Sequence, residues 1–287
     1  MAVAVASFLG GSVGSMVAGR SPVGFLAVGP PHLQLPPGHP FPALPLTNTM
    51  LSAWLSSVTI AFLLIWAGRR PTLLPTGLQS VVEYTCEVAI NFVEEMVGRK
   101  QERRFFPVIM TVFLFVLANA WFALLPGFES VKMNGVPLLR SANTDINVPL
   151  MLALVCVVSI EYWGLTTRHG AYVRSFFRVG ELARGIASFV RGRFREAGSQ
   201  LFTGVILLFV GLLELLGHLI RVLSFSFRLF GNMLAGVVLT GVALFLVPLV
   251  LPTLFYGLEV LFGVVQALIF AGLTAVFGYA AVSASEH

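Results

Sequence analysis

Charge is what this sequence has least of. Only 11% of its 287 residues are Asp, Glu, Lys or Arg, where a soluble globular domain carries about 25%. Hydrophobic residues make up 57%, and the mean hydropathy is +0.89. That deficit argues against one soluble domain with an oversized core and for a polytopic membrane protein. Cysteine is nearly absent as well. Cys86 and Cys156 are too far apart in sequence for metal spacing and too few for a disulfide framework. No nucleotide-binding motif occurs, and nothing in the sequence asks for a cofactor or a metal. Proline is missing from residues 201–247, so nothing there forces a long apolar run to break.

What is present is a set of apolar runs near 50–67, 105–125, 147–165, 201–247 and 253–283. Two basic connections separate them. Residues 68–104 carry Arg69, Arg70, Arg99, Lys100, Arg103 and Arg104; residues 166–199 carry Arg168, Arg174, Arg178, Arg184, Arg191, Arg193 and Arg195. The opposite sides hold only Arg20, Lys132 and Arg140, and the turn at 248–252 holds none. By the positive-inside rule the N-terminus lies outside and the C-terminus in the cytoplasm, with five crossings. The basic runs are topology signals and contacts to the lipid bilayer, not a nucleic-acid site.

The expected fold is all-α: about five membrane-crossing helices, a surface helix and a long tilted C-terminal hairpin. Residues 1–47, rich in Gly, Pro, Ala and Ser, read as an irregular outer tail, and residues 48–285 as one membrane domain. In "LQSVVEYTCEVAINFVEEMVG" Glu83, Glu87 and Glu94 share one helical face, which predicts an amphipathic helix over 78–98 at the cytoplasmic surface. The run 201–247 would extend about 70 Å as one helix, against a hydrocarbon thickness of about 30 Å. It must tilt steeply. Pro248 and Pro252 place the turn, and the tilted hairpin suits a large curved neighbour.

At 100° per residue, Glu214, His218, Arg221, Ser224, Arg228 and Asn232 fall within one arc of about 120°. They form a polar stripe on an otherwise greasy helix. On the second arm Glu259 and Gln266 lie two turns apart on one face, with Gln266 level with residues near 234. Glu214 is about 21 Å from Arg228 along the axis, too far to pair with it. Intramembrane ionisable groups are functional by default, so the missing anion belongs to another subunit or a transported ion. Asp145 and Asn147 stand at the outer mouth of the third span. Spaced acid, His and amide groups are what a hydrated proton path needs, and a fixed guanidinium blocks direct leakage. A secondary ion antiporter and a structural scaffold stay open at this point. The first predicts internal repeats and helices broken at mid-membrane, and neither is evident; the aligned stripe speaks against the second.

The segment "SFSFRLFGNMLAG" resembles the signature of subunit a of the F-type ATP synthase. Gln266 in "VVQALIFAGLTAVF" and Glu214 in "LLELLGHLI" stand where that family carries a glutamine and an acid. "PLTNTMLSAWL", "LANAWFALLPG" and "TDINVPLMLAL" are similar to earlier family segments, so the likeness covers roughly 45–285. The resemblance implies a static, non-catalytic proton-channel subunit of a bacterial inner membrane. ATP chemistry would lie in partner subunits, among them b-type peripheral-stalk subunits. It implies that Arg228 gates two offset half-channels facing the essential carboxylates of a rotating c-ring, with Asn232 and Gln266 positioning the guanidinium. Asp145, Asn147, His218 and Glu259 would serve the outer half-channel, and Glu214 a polar path on the same interface. One departure is visible. Many bacterial members carry an acid at the position of Val237 and often a histidine at that of Glu259, as though the titratable group had crossed the hairpin.

Overall fold

The computed structural model describes residues 2–19, 21, 37–41, 46–69, 77–99, 101–125, 128, 131–133, 135–168 and 194–283. In chain order the helices are α1 (Ala2–Gly10), α2 (Ser12–Val17), α3 (Asn48–Gly68), α4 (Leu78–Val97), α5 (Glu102–Ala123), α6 (Asn147–Arg168), α7 (Phe194–Leu246) and α8 (Val250–Ser283). A small antiparallel hairpin, β1 (Lys132–Met133) and β2 (Val136–Pro137), and a 3-10 turn at Ala142–Thr144 precede α6. Among the described residues five helices, α3, α5, α6, α7 and α8, are long and apolar enough to cross a membrane. The chain is an all-α, multi-pass membrane protein.

The departures from the sequence reading concern boundaries. The tail is not irregular throughout, because 2–10 and 12–17 are helical. Alanine favours helix, and these turns find partners at the far end of the molecule. The backbone N–H of Leu249 donates to Ser7 Oγ at 3.0 Å, and a Cβ on Gly11 would sit 3.0 Å from Pro248 Cδ. The basic connection placed at 166–199 is helical at both ends, since α6 runs to Arg168 and α7 starts at Phe194. Backbone bonding continues past the edge of an apolar run. The positions 169–193 and the Pro-rich stretch 22–36 lie outside the described residues.

The long run does not break. α7 is one helix of 53 residues, about 80 Å long, and it ends where the sequence supplies a reason. Val247 N–H makes the last helical bond, to Ala243 at 2.9 Å, and Pro248 has no N–H to continue. α8 begins at Val250, earlier than the expected 253, because Pro252 falls in the first helical turn, where an N–H would have no partner.

The core lies between α5, α6, α7 and α8. Val112 and Val116 of α5 meet Ala153, Cys156 and Val157 of α6, Phe225 and Leu229 of α7, and Ala267 and Phe270 of α8. Nearer the basic connections, Phe105 and Trp163 pack edge to face, centroids 4.1 Å apart. Gly278 of α8 makes that packing possible: a Cβ there would come within 2.8 Å of both rings. Small residues let helices approach where lipid gives no hydrophobic drive. α4 ends at Gly98, whose φ of +80° reverses the chain, and buries Val93 and Val97 in the same cluster.

α7 stands apart from this packing. Only 6% of its most apolar window is buried, against 44% in α8 and 39% in α5 and in α6. Val205, Phe209, Leu212, Leu219, Ile220 and Phe227 all face outward.

Candidate functional site

Because α7 is unbroken, its stripe keeps the phase that 100° per residue gives it, but its members meet different surroundings. Leu229, Phe225 and Ser226 are buried and fix one side of the helix. Arg228, between them in sequence, is exposed on the other. Among the described residues no carboxylate stands within ion-pair distance of its guanidinium. Exposure here means contact with lipid or another chain, and a bare guanidinium in hydrocarbon is costly.

One turn along, Asn232 Nδ2 donates to Gln266 Oε1 at 3.1 Å across the hairpin. The level of Gln266 is thus two residues from the 234 expected by counting back around the prolines. Its amide is 2% exposed, and its Nε2 has no hydrogen-bond partner among the described residues. A buried donor left unmatched costs about 1–3 kcal/mol. The Arg228, Asn232 and Gln266 side chains therefore form a short polar strip from an exposed cation to a buried amide.

Beyond it a cavity of about 460 Å³ opens between the hairpin arms and the end of α5, lined by Asn232, Gly236, Val237, Thr240, Tyr256 and Glu259, among others. Thr240 Oγ1 donates to Glu259 Oε1 at 2.7 Å. Gly236 leaves that carboxylate its place, since a Cβ there would stand 2.9 Å from Glu259 Oε1. Val237 and Glu259 line the same cavity from opposite arms, so an acid on either arm reaches one space.

The structure does not bring every candidate together. Asp145 and Asn147 do not line this cavity. Asp145 is 6% exposed and receives three hydrogen bonds: from Thr49 Oγ1 at 2.8 Å, Asn147 N at 3.1 Å and Asn147 Nδ2 at 2.9 Å. It ties the start of α6 to α3. Toward the basic connections, Glu214 is exposed, His218 Nδ1 lies 2.5 Å from Glu161 Oε1 of α6, and Arg221 sits 3.9 Å over the Phe277 ring of α8. The polar groups thus divide between the two ends of the hairpin, with Arg228 between.

Sequence reasoning missed Glu161, Thr240 and a buried polar seam. Glu161 is the one carboxylate inside the apolar run 147–165 past its mouth, and that isolation was a usable signal. The seam uses Asn48, Ser52 and Ser56, four residues apart on α3. Ser56 Oγ donates to Asn119 Oδ1 at 2.9 Å, and Ser52 Oγ accepts from Arg140 N at 3.0 Å. Thr240 carried no signal, because hydroxyls are common in such helices.

Comparison with known proteins gives two findings. The family described as "ATP synthase A chain" matches residues 50–278. ATP synthase subunit a of Gloeobacter violaceus (strain ATCC 29082 / PCC 7421) is 31% identical over 242 residues, which is 84% of this chain and 85% of that one.

Proposed function

Since this chain belongs to the ATP synthase A chain family, we propose that it is the static proton-channel subunit of an F-type ATP synthase, set against a rotating ring that carries the essential carboxylates. It performs no ATP chemistry; that belongs to other subunits of the complex. It resides in a bacterial inner membrane, N-terminus outside and C-terminus in the cytoplasm. The observation that carries the reading is Arg228: an exposed cation on the least buried helix, without a carboxylate among the described residues.

The work divides along the hairpin. The cavity around Glu259 is the end of the outer half-channel, where an open space brings a titratable carboxylate up to the hairpin. Glu214, on the side of the basic connections, opens the inner half-channel. A proton arriving from one side neutralises a ring carboxylate, which can then enter lipid; a deprotonated carboxylate must stop at Arg228. The guanidinium attracts that anion and repels protons, so the half-channels stay separate and ion flow is tied to rotation. Asn232, bonded to Gln266, keeps a polar lining beside the guanidinium without neutralising it. The driving force is about 2.3 kcal/mol per charge per 100 mV, plus any pH difference.

The test is Arg228→Ala in the assembled complex. ATP-driven proton pumping should disappear while the complex still assembles, measured by acidification of membrane vesicles. Coupled pumping in that variant would remove Arg228 from the role.

A further inference from the structure

Resting on the half-channel reading above, we propose that Glu161 and His218 form a proton-relay pair, which extends the path on the basic-connection side into the seam between α6 and α7. The observation is the contact itself: His218 Nδ1 lies 2.5 Å from Glu161 Oε1, with side-chain exposures of 19% and 27%. The pair is neither sealed in the core nor open on the surface. It borders the outside of the chain, where water can supply and remove protons.

Position separates it from a fastener. α6 and α7 are already held by Cys156, Val157, Val222 and Phe225, all buried in one cluster, so the pair is not what joins the two helices. Glu214 lies one helical turn from His218, the spacing at which side chains on a helix meet, and has no partner among the described residues. His218 in turn is ten residues, about 15 Å, from Arg228.

The step balances without any other reactant. Protonated Glu161 gives its proton to Nδ1 of neutral His218, and the imidazolium releases the Nε2 proton to the Glu214 carboxylate, directly or through water. One O–H bond breaks at Glu161 and one forms at Glu214. The imidazole ends neutral in its other tautomer, and exchange with water, which takes the Nδ1 proton and returns one to Nε2, readies it for the next proton. Imidazole suits this role because it accepts at one nitrogen while donating from the other.

The experiment uses the complete complex in membrane vesicles and measures passive proton flux through the membrane sector after the catalytic head is stripped. The variants are Glu161→Gln, His218→Gln, the double Gln variant, and the interchange Glu161→His with His218→Glu; amounts of assembled complex are measured in parallel. Each Gln variant should lower flux per assembled complex about tenfold, below the ~10²-fold scale of a fully enclosed proton-transfer group, because water offers a bypass. The double variant should be no worse than the singles, and the interchange should recover most of the flux. Glu161→Gln keeps a side chain able to hydrogen-bond His218, so a purely structural contact predicts wild-type flux there. Wild-type flux in the assembled double variant overturns the relay, as does a loss that the interchange fails to restore. Arg228→Ala is carried alongside in vesicles that keep the catalytic head. If it still pumps, the channel reading itself fails; if it blocks pumping while the Gln variants conduct normally, only the relay fails.

Discussion

The two arms of the C-terminal hairpin are built from nearly the same residues and used in opposite ways. α7 and α8 are both long and apolar, yet α8 is buried along 44% of its most apolar window and α7 along 6%. α8 spends its small residues on packing: Gly263, Ala267, Ala271, Ala275 and Gly278 are all buried. α7 turns outward both its large apolar side chains and Arg228. The difference teaches where each arm's partner is. α8 is complete within this chain, whereas α7 presents a greasy surface with the Arg228 guanidinium on it, the form expected of a helix whose neighbour is another chain. The two polar side chains of α8 that matter are answered by α7: Gln266 by Asn232 and Glu259 by Thr240.

The sharpest way to break that contrast is to remove the outward cation, Arg228. Arg228→Ala should abolish ATP-driven pumping altogether, with assembly intact. Next comes the inward acid. Glu259→Gln retains the hydrogen bond from Thr240 but cannot carry a proton, so proton flux should fall by about a hundredfold, the low end of what a positioned proton-transfer group contributes. Glu259→Asp should keep part of the flux. Packing effects follow. Gly278→Leu drives a side chain into Phe105 and Trp163 and should destabilise the chain by about 1–3 kcal/mol, read as a lower melting temperature in detergent. Leu219→Ala, at an outward position of α7, should change that stability by less than about 0.5 kcal/mol; equal effects at the two sites would erase the distinction between the arms. The smallest effect concerns α4. Burial, and then the Glu83 charge, push the Cys86 thiol up from its ordinary range. At pH 8 it holds less thiolate than a free cysteine, and maleimide labelling should be slower and keep accelerating as pH rises.

How much of this was readable in the sequence depends on which forces set each feature. The membrane fold follows from the scarcity of charge, a bulk property that no tertiary detail can undo. The phase of the α7 stripe is readable because no proline interrupts 201–247, and an unbroken helix preserves angular order over any distance. Glu161 against His218 and Thr240 against Glu259 are contacts between helices. They depend on crossing and rotation angles that one-dimensional periodicity does not contain. The level of Gln266, expected near 234 and bonded to Asn232, was readable to within a turn because the prolines mark where the hairpin reverses. The helices at 2–10 and 12–17 were hidden because their stability comes from the hairpin turn they touch, through Ser7 and Gly11, and not from their own short sequences. Asp145 stands at the start of α6, where the sequence put it, but the donors that hold it there were not all readable, because Thr49 reaches it from another helix.

The central claim is that the counter-ion of Arg228 comes from a different chain. A structure of the intact membrane sector, resolved well enough to see side chains, tests it most directly. The account predicts a carboxylate of a ring subunit facing the Arg228 guanidinium, within about 4 Å in at least one rotary position. Glu214, Glu259 or another acid of this same chain occupying that place in every position would contradict it.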